Sequence, residues 1–447
     1  MTGTIDPLAV PPTGPIELPA RARGIRGAVG SLGYRNYRRF QGAHLFLHAA
    51  GWMQRIAIDW LVLELTGSMA IVGLLVLVQW GPMLLFGQYG ALIADRFPRR
   101  LTVAVVYACL AVLSGTLALL WFFDVLELWH VLVITFLIGI VCMVEIPARV
   151  VFLSEMVDQK HLPNAISIYA IVFWTGGMIG PALGGGLVAI DGAGWALAAY
   201  TASALLVAGT VLVLRRAELF PVPHASASPA TMREAARYVR SKPTIFWPMV
   251  LLAAAAIFGM PISVVLAGMA QEVFNTGAAG YGLYSSLLAA GALIGAMAST
   301  AVRALRLRFL IILVAIFGAL LLASAAMQSS LAFCVVLAGA GCMRVLYEIV
   351  SDSLVQLSSN LRIRGRIVSL YVAILVGGQA IGSPLLGAIA DAAGPRIALV
   401  IAGAVPILAA AAIAAHLART GSFRMKLTLK RGESILSIVG PGHNPLS

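Results

Sequence analysis

The chain has 447 residues, of which 60% are hydrophobic and only 11% charged. Soluble domains carry roughly 25% charged residues, so this composition excludes that class. The net charge of +13 does not indicate a nucleic-acid surface either: of 31 Lys and Arg, all but Arg55, Arg149, Arg344 and Arg396 lie in the tails or in every second loop, the bias of a membrane protein with cytoplasmic basic loops.

Residues 1–37 contain Pro, Gly and Arg without an apolar core, and read as a cytoplasmic tail rather than a signal peptide. Apolar runs then recur, each long enough to cross a hydrocarbon layer of about 30 Å as a helix. Spans are expected near 40–66, 70–94, 101–123, 127–150, 164–190 and 194–214. After a polar stretch, six more are expected near 246–270, 280–302, 308–328, 330–354, 366–390 and 396–417. The runs lack the alternation of barrel strands, so helices are the remaining way to satisfy the backbone in lipid. Twelve spans with basic loops on alternate sides put both termini in the cytoplasm.

The first span is polar along one side. Gln41, His44, His48, Arg55 and Asp59 fall within roughly a 60° arc at 100° per residue. Arg55 and Asp59 are i,i+4 neighbours able to pair. Charges at this depth cost several kcal/mol in lipid and normally face a cavity or a partner. At the end of the second span, GALIADRFPRR (90–100) sets Asp95 beside Arg96, Arg99 and Arg100. A carboxylate there can bond a helix N-terminus of the other half and pair with nearby arginines.

In the fourth span Glu145 and Arg149 repeat the i,i+4 spacing around Pro147. The fifth carries Gly176, Gly180, Pro181, Gly184 and Gly185. Glycines four apart make a smooth face for close helix approach, and Pro181 removes a backbone bond and kinks the helix. The following stretch, 215–243, begins linker-like in PVPHASASPA and ends in TMREAARYVRSKP, which reads as a short surface helix between Pro229 and Pro243.

In the seventh span Gly259-Met260-Pro261 marks a bend, and in the tenth Arg344 and Glu348 repeat the paired spacing, with Asp352 one turn on. Segments 141–156 and 341–356 resemble each other, as do 177–194 and 378–394, with an offset of about two hundred residues. Such duplication points to two bundles with a site between them. The expected organisation is a tail at 1–37, a six-helix bundle at 38–216, a linker with an amphipathic helix at 217–243, a second bundle at 244–418 and a cytoplasmic tail at 419–447. Cys109, Cys142, Cys334 and Cys342 lie in apolar runs without CxxC pairing and are expected to be reduced core residues. No P-loop, HExxH, paired-cysteine metal site or GxSxG motif occurs, so neither ATP drive, a metal, a cofactor nor an enzyme activity is expected.

GALIADRFPRR resembles the loop 2–3 signature of the major facilitator superfamily, with Ala91 and Pro98 standing where glycines are usual. The fifth-span glycines and Pro181 match that superfamily's antiporter motif at every fixed position. GWMQRIAIDWLVLELTGS (51–68), EIPARVVFLSEMVDQKHLPNAIS (145–167) and RGRIVSLY (364–371) resemble the exporter branch that contains enterobactin and macrolide efflux proteins, with Val150 departing from its pattern.

The resemblance implies an all-α membrane fold of twelve helices in two pseudo-symmetric bundles, with spans one, four, seven and ten lining a cavity. The paired charges on those spans read as proton coupling by Asp59, then Glu348 and Glu145, with charge partners Arg55, Arg149 and Arg344, and the loop resemblance implies a latch of Asp95, Arg96, Arg99 and Arg100. His44 and His48 read as proton relays or as polar cavity lining, since an unperturbed imidazole titrates near neutrality; Trp52 and Tyr347 also read as cavity lining, and with Trp60 and Trp174 as candidates for stacking on an aromatic substrate. The implied function is export of a small organic molecule – a drug, a macrolide-like compound or a siderophore – in exchange for protons. The implied location is the inner (plasma) membrane, as a monomer in the lipid bilayer. A proton-coupled uptake symporter and a non-transporting sensor or scaffold are the alternatives, and the complete antiporter motif speaks against the first.

Overall fold

A computed structural model describes residues 30–220, 232–302, 306–360 and 363–419, and two short strands. The first 29 residues, the PVPHASASPA segment, Arg303, Arg362 and most of the tail after residue 419 lie outside the described residues, as does the Asp95 side chain.

Twelve long helices follow one another. In the first half they are α1 (Arg35–Thr66), α2 (Met69–Arg96), α3 (Arg99–Phe122), α4 (Leu128–Ser154), α5 (Leu162–Asp191) and α6 (Ala193–Val213). In the second they are α7 (Pro243–Val273), α8 (Gly277–Ser299), α9 (Leu307–Ala326), α10 (Ser330–Leu357), α11 (Arg364–Ala393) and α12 (Pro395–Arg419). Among the described residues, eleven are long and apolar enough to cross a membrane. The exception is α1, whose polar stripe lowers its hydropathy over 32 residues. A short helix, Met232–Ser241, precedes α7. Strands β1 (Arg424–Leu427) and β2 (Leu436–Val439) pair antiparallel, Arg424 opposite Val439.

The helix ends follow from local chemistry. Gly67 ends α1 at φ 63°, a left-handed conformation that strains other residues, and its N–H donates to the Leu63 carbonyl at 2.8 Å. Ser68 then caps α2, and Ser329 caps α10 in the same way. The bend expected in α7 is a π-helical turn at Ala255–Gly259 before Pro261, and a second π-turn closes the helix at Met269–Val273.

Within the first half α1 packs on α5 and α6, α2 on α4, and α3 on α6; within the second, α8 packs on α10 and α9 on α12. The halves meet through α2 against α11 and α5 against α8. The bundle has an arginine-rich end, where Arg35, Arg99, Arg215, Arg306 and Arg364 lie, and an arginine-poor end, where the turns at Gly67, Gly192 and Gly394 lie. A buried apolar cluster joins Ala235 and Val239 of the short helix to α7, α10 and α11, anchoring that helix to the second half. Large apolar side chains such as Leu85, Val112, Ile190 and Leu331 point outward, as suits a surface facing acyl chains. Cys109 also lies on this outer surface, whereas the sequence placed it in the core. The helical periodicity of a lipid-facing stripe is invisible in a segment that is apolar all round.

Candidate functional site

Asp59 is 1% exposed and lies where the halves touch. Its Oδ2 accepts from Arg55 Nε at 2.9 Å and from the Tyr281 hydroxyl at 2.9 Å. Arg55 is one turn away on α1, whereas Tyr281 is on α8, so this second bond crosses between the halves. Arg55 also reaches Gln79 of α2 at 3.5 Å. The other carboxylate oxygen, Oδ1, is buried with no hydrogen-bond partner, a costly arrangement for a charged acceptor. Trp60 covers the pair, its ring stacked at 6.4 Å from that of Tyr281 and its Nε1 donating to Glu64.

A second charged cluster lies in the first half. Arg149 Nε donates to Glu145 Oε1 at 2.6 Å, one turn apart on α4. The same oxygen accepts from the Tyr107 hydroxyl of α3 at 2.6 Å, and Tyr107 lies 2.9 Å from His44 Nε2 of α1. The Arg149 guanidinium stands over the Tyr169 ring of α5 at 4.6 Å, a cation–π contact. His48 lies against Tyr169 and Phe173, and Trp52 against Phe173 and Gly177. Four helices therefore converge on one buried polar cluster.

The third pair read from the sequence does not form. Arg344 does not bond Glu348; it reaches Gln379 of α11 at 3.4 Å, and its Nε is buried without a partner. Spacing of i,i+4 permits a pair but does not compel one, because a long Arg side chain can leave the helix for a neighbour. Tyr347 is fully buried in the apolar cluster of the second half, its hydroxyl unpartnered. Tyr371 bonds the Glu348 carbonyl at 3.1 Å.

The fifth-helix motif serves two partners. A Cβ on Gly176, Gly180 or Gly184 would stand 2.7 Å from His48, Trp52 or Met53 of α1, so these glycines let α1 and α5 approach closely. Gly185 instead meets the backbone of Gly282 on α8, where its Cβ would stand 2.8 Å from Cα. Beside Pro181, Ala182 N–H donates to Ser286 of α8 at 2.8 Å. One helix thus holds α1 on one face and the other half on the next.

At the arginine-rich end, Arg99 pairs with Glu155 after α4, and Arg100 donates to the carbonyls of Val211 and Leu212 at the end of α6. Both arginines tie the loop to its own half, where Arg100 satisfies last-turn carbonyls; Arg96 is exposed. The helix N-terminus captured across the halves lies at the opposite end. Asp391, at the end of α11, accepts from the Ser68 hydroxyl at 2.6 Å, the Met69 amide at 2.7 Å and the Ala70 amide at 3.0 Å. A carboxylate on the free amides of α2 complements both the unpaired donors and the helix dipole.

Sequence reasoning missed Tyr107, Tyr281, Gln79, Gln379 and Asp391. A signal existed for Asp391, since the duplicated segments align it with Asp191, another acid at a helix end. No pattern marked the tyrosines, each a single polar atom inside an apolar run.

The profile of the transmembrane secretion effector family matches residues 29–428. The enterobactin exporter EntS of Salmonella typhi is 26% identical over 343 residues, which cover 74% of this chain and 80% of that protein. The staphyloferrin A transporter of Staphylococcus aureus (strain NCTC 8325 / PS 47) is 24% identical over 155 residues, 34% of this chain and only 38% of the relative's length. In fold, the chain is similar to a bacterial homologue of the human lysosomal transporter Spinster in an inward-facing, unoccupied conformation, with TM-score 0.67, 18% identity and coverage of 84% and 96%. A POT family transporter bound to a thioalcohol-conjugated peptide is also similar, with TM-score 0.69, 12% identity and coverage of 88% and 99%.

Proposed function

The chain belongs to the transmembrane secretion effector family, within the major facilitator superfamily, and from that premise we propose that it exports a small organic molecule of the siderophore class in exchange for protons. It is a multi-pass membrane transporter, and the proposed mechanism is the rocking of two six-helix halves about the site between them. The observation that carries the coupling is Asp59: a buried carboxylate with one oxygen free, held by Arg55 on its own helix and by Tyr281 of the other half. Protonation of Asp59 weakens its hold on both donors, so proton binding and separation of the halves act on the same atoms. Glu145, paired with Arg149, is the second proposed carrier, and Glu348 the third. Arg344, which lies near Glu348 without forming a salt bridge to it, is a cation able to meet an acidic substrate.

The siderophore class is supported by the two relatives, an enterobactin exporter and a staphyloferrin A transporter. Expression in cells that make enterobactin or staphyloferrin A but cannot secrete it tests the proposal. Restored secretion of either is the expected result. Unchanged retention of both, with increased macrolide resistance, would replace the siderophore by a drug.

We place the arginine-rich end in the cytoplasm, and with it both termini. In this orientation the contacts of Asp391, Tyr281 and Ser286 close the outer end, which makes the described conformation inward-facing. A cysteine at exposed Asp191 is then expected to react with an impermeant reagent added outside, and one at Arg240 is not; the reverse pattern overturns the orientation. Asp95, whose side chain lies outside the described residues, is proposed to latch the cytoplasmic end in the alternate state.

A further inference from the structure

His44, Tyr107 and Glu145 form a chain in which hydrogen atoms can be counted. His44 Nδ1 lies 3.0 Å from the Phe40 carbonyl, which can only accept, so Nδ1 carries a hydrogen and donates it. His44 Nε2 lies 2.9 Å from the Tyr107 oxygen, and that oxygen lies 2.6 Å from Glu145 Oε1. The hydroxyl has one hydrogen for these two contacts. With a neutral imidazole and an ionised carboxylate, one of the two is left as an approach of lone pairs, buried away from water. One added proton mends the chain. It can sit on Nε2, so that His44 donates to Tyr107 and Tyr107 donates to Glu145. It can equally sit on Glu145, with both bonds running the other way.

We infer that His44, Tyr107 and Glu145 together bind one exchangeable proton, and that Tyr107 relays it between the imidazole and the carboxylate. In the relay step the Nε2–H bond breaks as an O–H bond forms on Tyr107. At the same time the original Tyr107 O–H breaks and an O–H forms on Glu145 Oε1. Two bonds break, two form, and the charge of the cluster is unchanged. Its effect on Arg149 is not neutral: with the proton on His44, Arg149 faces a carboxylate, and with the proton on Glu145 it faces an uncharged acid and is held less tightly. The other titratable and charged groups facing the chain are His48 on α1, Arg149 and Cys142 on α4, Tyr169 on α5 and Tyr200 on α6. Use of the stored proton in transport rests on the antiport reading above; its storage does not.

Infrared difference spectroscopy of the purified protein in lipid nanodiscs, titrated with acid, tests this without substrate. In the unaltered protein the imidazolium and carboxyl signals that vanish in His44→Gln and Glu145→Gln are expected to share one midpoint, because the groups titrate as a unit. In Tyr107→Phe, which keeps the ring and removes the relay, the two are expected to separate by about one pH unit or more. Separate midpoints in the unaltered protein, or a shared midpoint in Tyr107→Phe, overturn the relay. Should Tyr107→Phe fail to fold, ¹⁵N spectra of His44 in the unaltered protein decide. An Nε2 without hydrogen at every pH where the protein is folded shows that the proton never reaches the imidazole, which overturns the relay. A proton store found in a protein that exports nothing leaves this inference standing and removes only the antiport reading.

Discussion

Asp59→Asn is expected to abolish proton-driven export while leaving the protein inserted and able to bind substrate. Asn keeps the shape of the side chain and an oxygen for Arg55 and Tyr281, but it cannot take up or release a proton. Arg55 holds the carboxylate at 2.9 Å from the same helix, and Tyr281 holds it from the other half, so the proposed separation of the halves removes one of its two donors. Removing the carboxylate of such a switch lowers flux by roughly 10²-fold or more, the scale on which loss of a proton-transferring side chain acts. The effect on stability is smaller. Breaking a fully buried ion pair costs about 3–5 kcal/mol, but Arg55 keeps 28% of its side chain exposed and remains partly solvated. Uptake of labelled substrate into inverted vesicles, at matched protein levels, checks the prediction. Full pH-driven uptake by Asp59→Asn, with loss in Glu145→Gln or Glu348→Gln, transfers the role to another carboxylate.

Asp391→Ala is expected to shift the molecule away from the state closed at its arginine-poor end. The carboxylate holds the first amides of α2 from the far half, so its loss removes these cross-bonds and an N-terminal cap together. Loss of an N-cap costs about 1 kcal/mol at a typical site. Asp391 is exposed, which argues against a larger figure, so the ratio of states changes roughly five-fold. Spin labels at Asp124 and Gln328, one in each half at that end, are expected to move apart. A pair at Lys160 and Arg306, at the other end, is expected to close. An unchanged distance distribution at both ends removes Asp391 from the gate. Because the acid acts on one conformation rather than on the fold, Asp391→Asn, which keeps an acceptor without the charge, is expected to fall between the two.

The parts of this molecule that were legible in its sequence are those where one residue type has few alternatives. Apolar runs of twenty residues can only be spans, and Gly180 and Pro181 announce a close approach and a kink because few other residues permit them. The polar stripe of α1 was legible because charge in lipid must be compensated. What the sequence withheld were the partners across helices. Nothing in the run around Tyr107 distinguishes a hydroxyl that bonds Glu145 from one that faces headgroups, and nothing around Tyr281 shows that it reaches Asp59 in the other half. Arg344 shows the converse: its spacing to Glu348 suggested a pair, and packing against α11 sent the guanidinium to Gln379. The sequence also drew attention to Asp95 among its arginines, whose side chain lies outside the described residues, and gave no notice of Asp391, the acid in a plain alanine-rich helix end that captures a helix N-terminus across the halves.

The central claim is that export is driven by protons moving the opposite way. Purified protein in vesicles, given a pH gradient with the acidic side at the arginine-poor end and an internal pH dye, tests it most directly with enterobactin and staphyloferrin A as substrates. The account predicts that at least one of them accumulates on the acidic side, that protons enter the opposite compartment only while it moves, and that both fluxes vanish in Asp59→Asn. Substrate that merely equilibrates across the bilayer, with no proton movement and no dependence on the gradient, would contradict it.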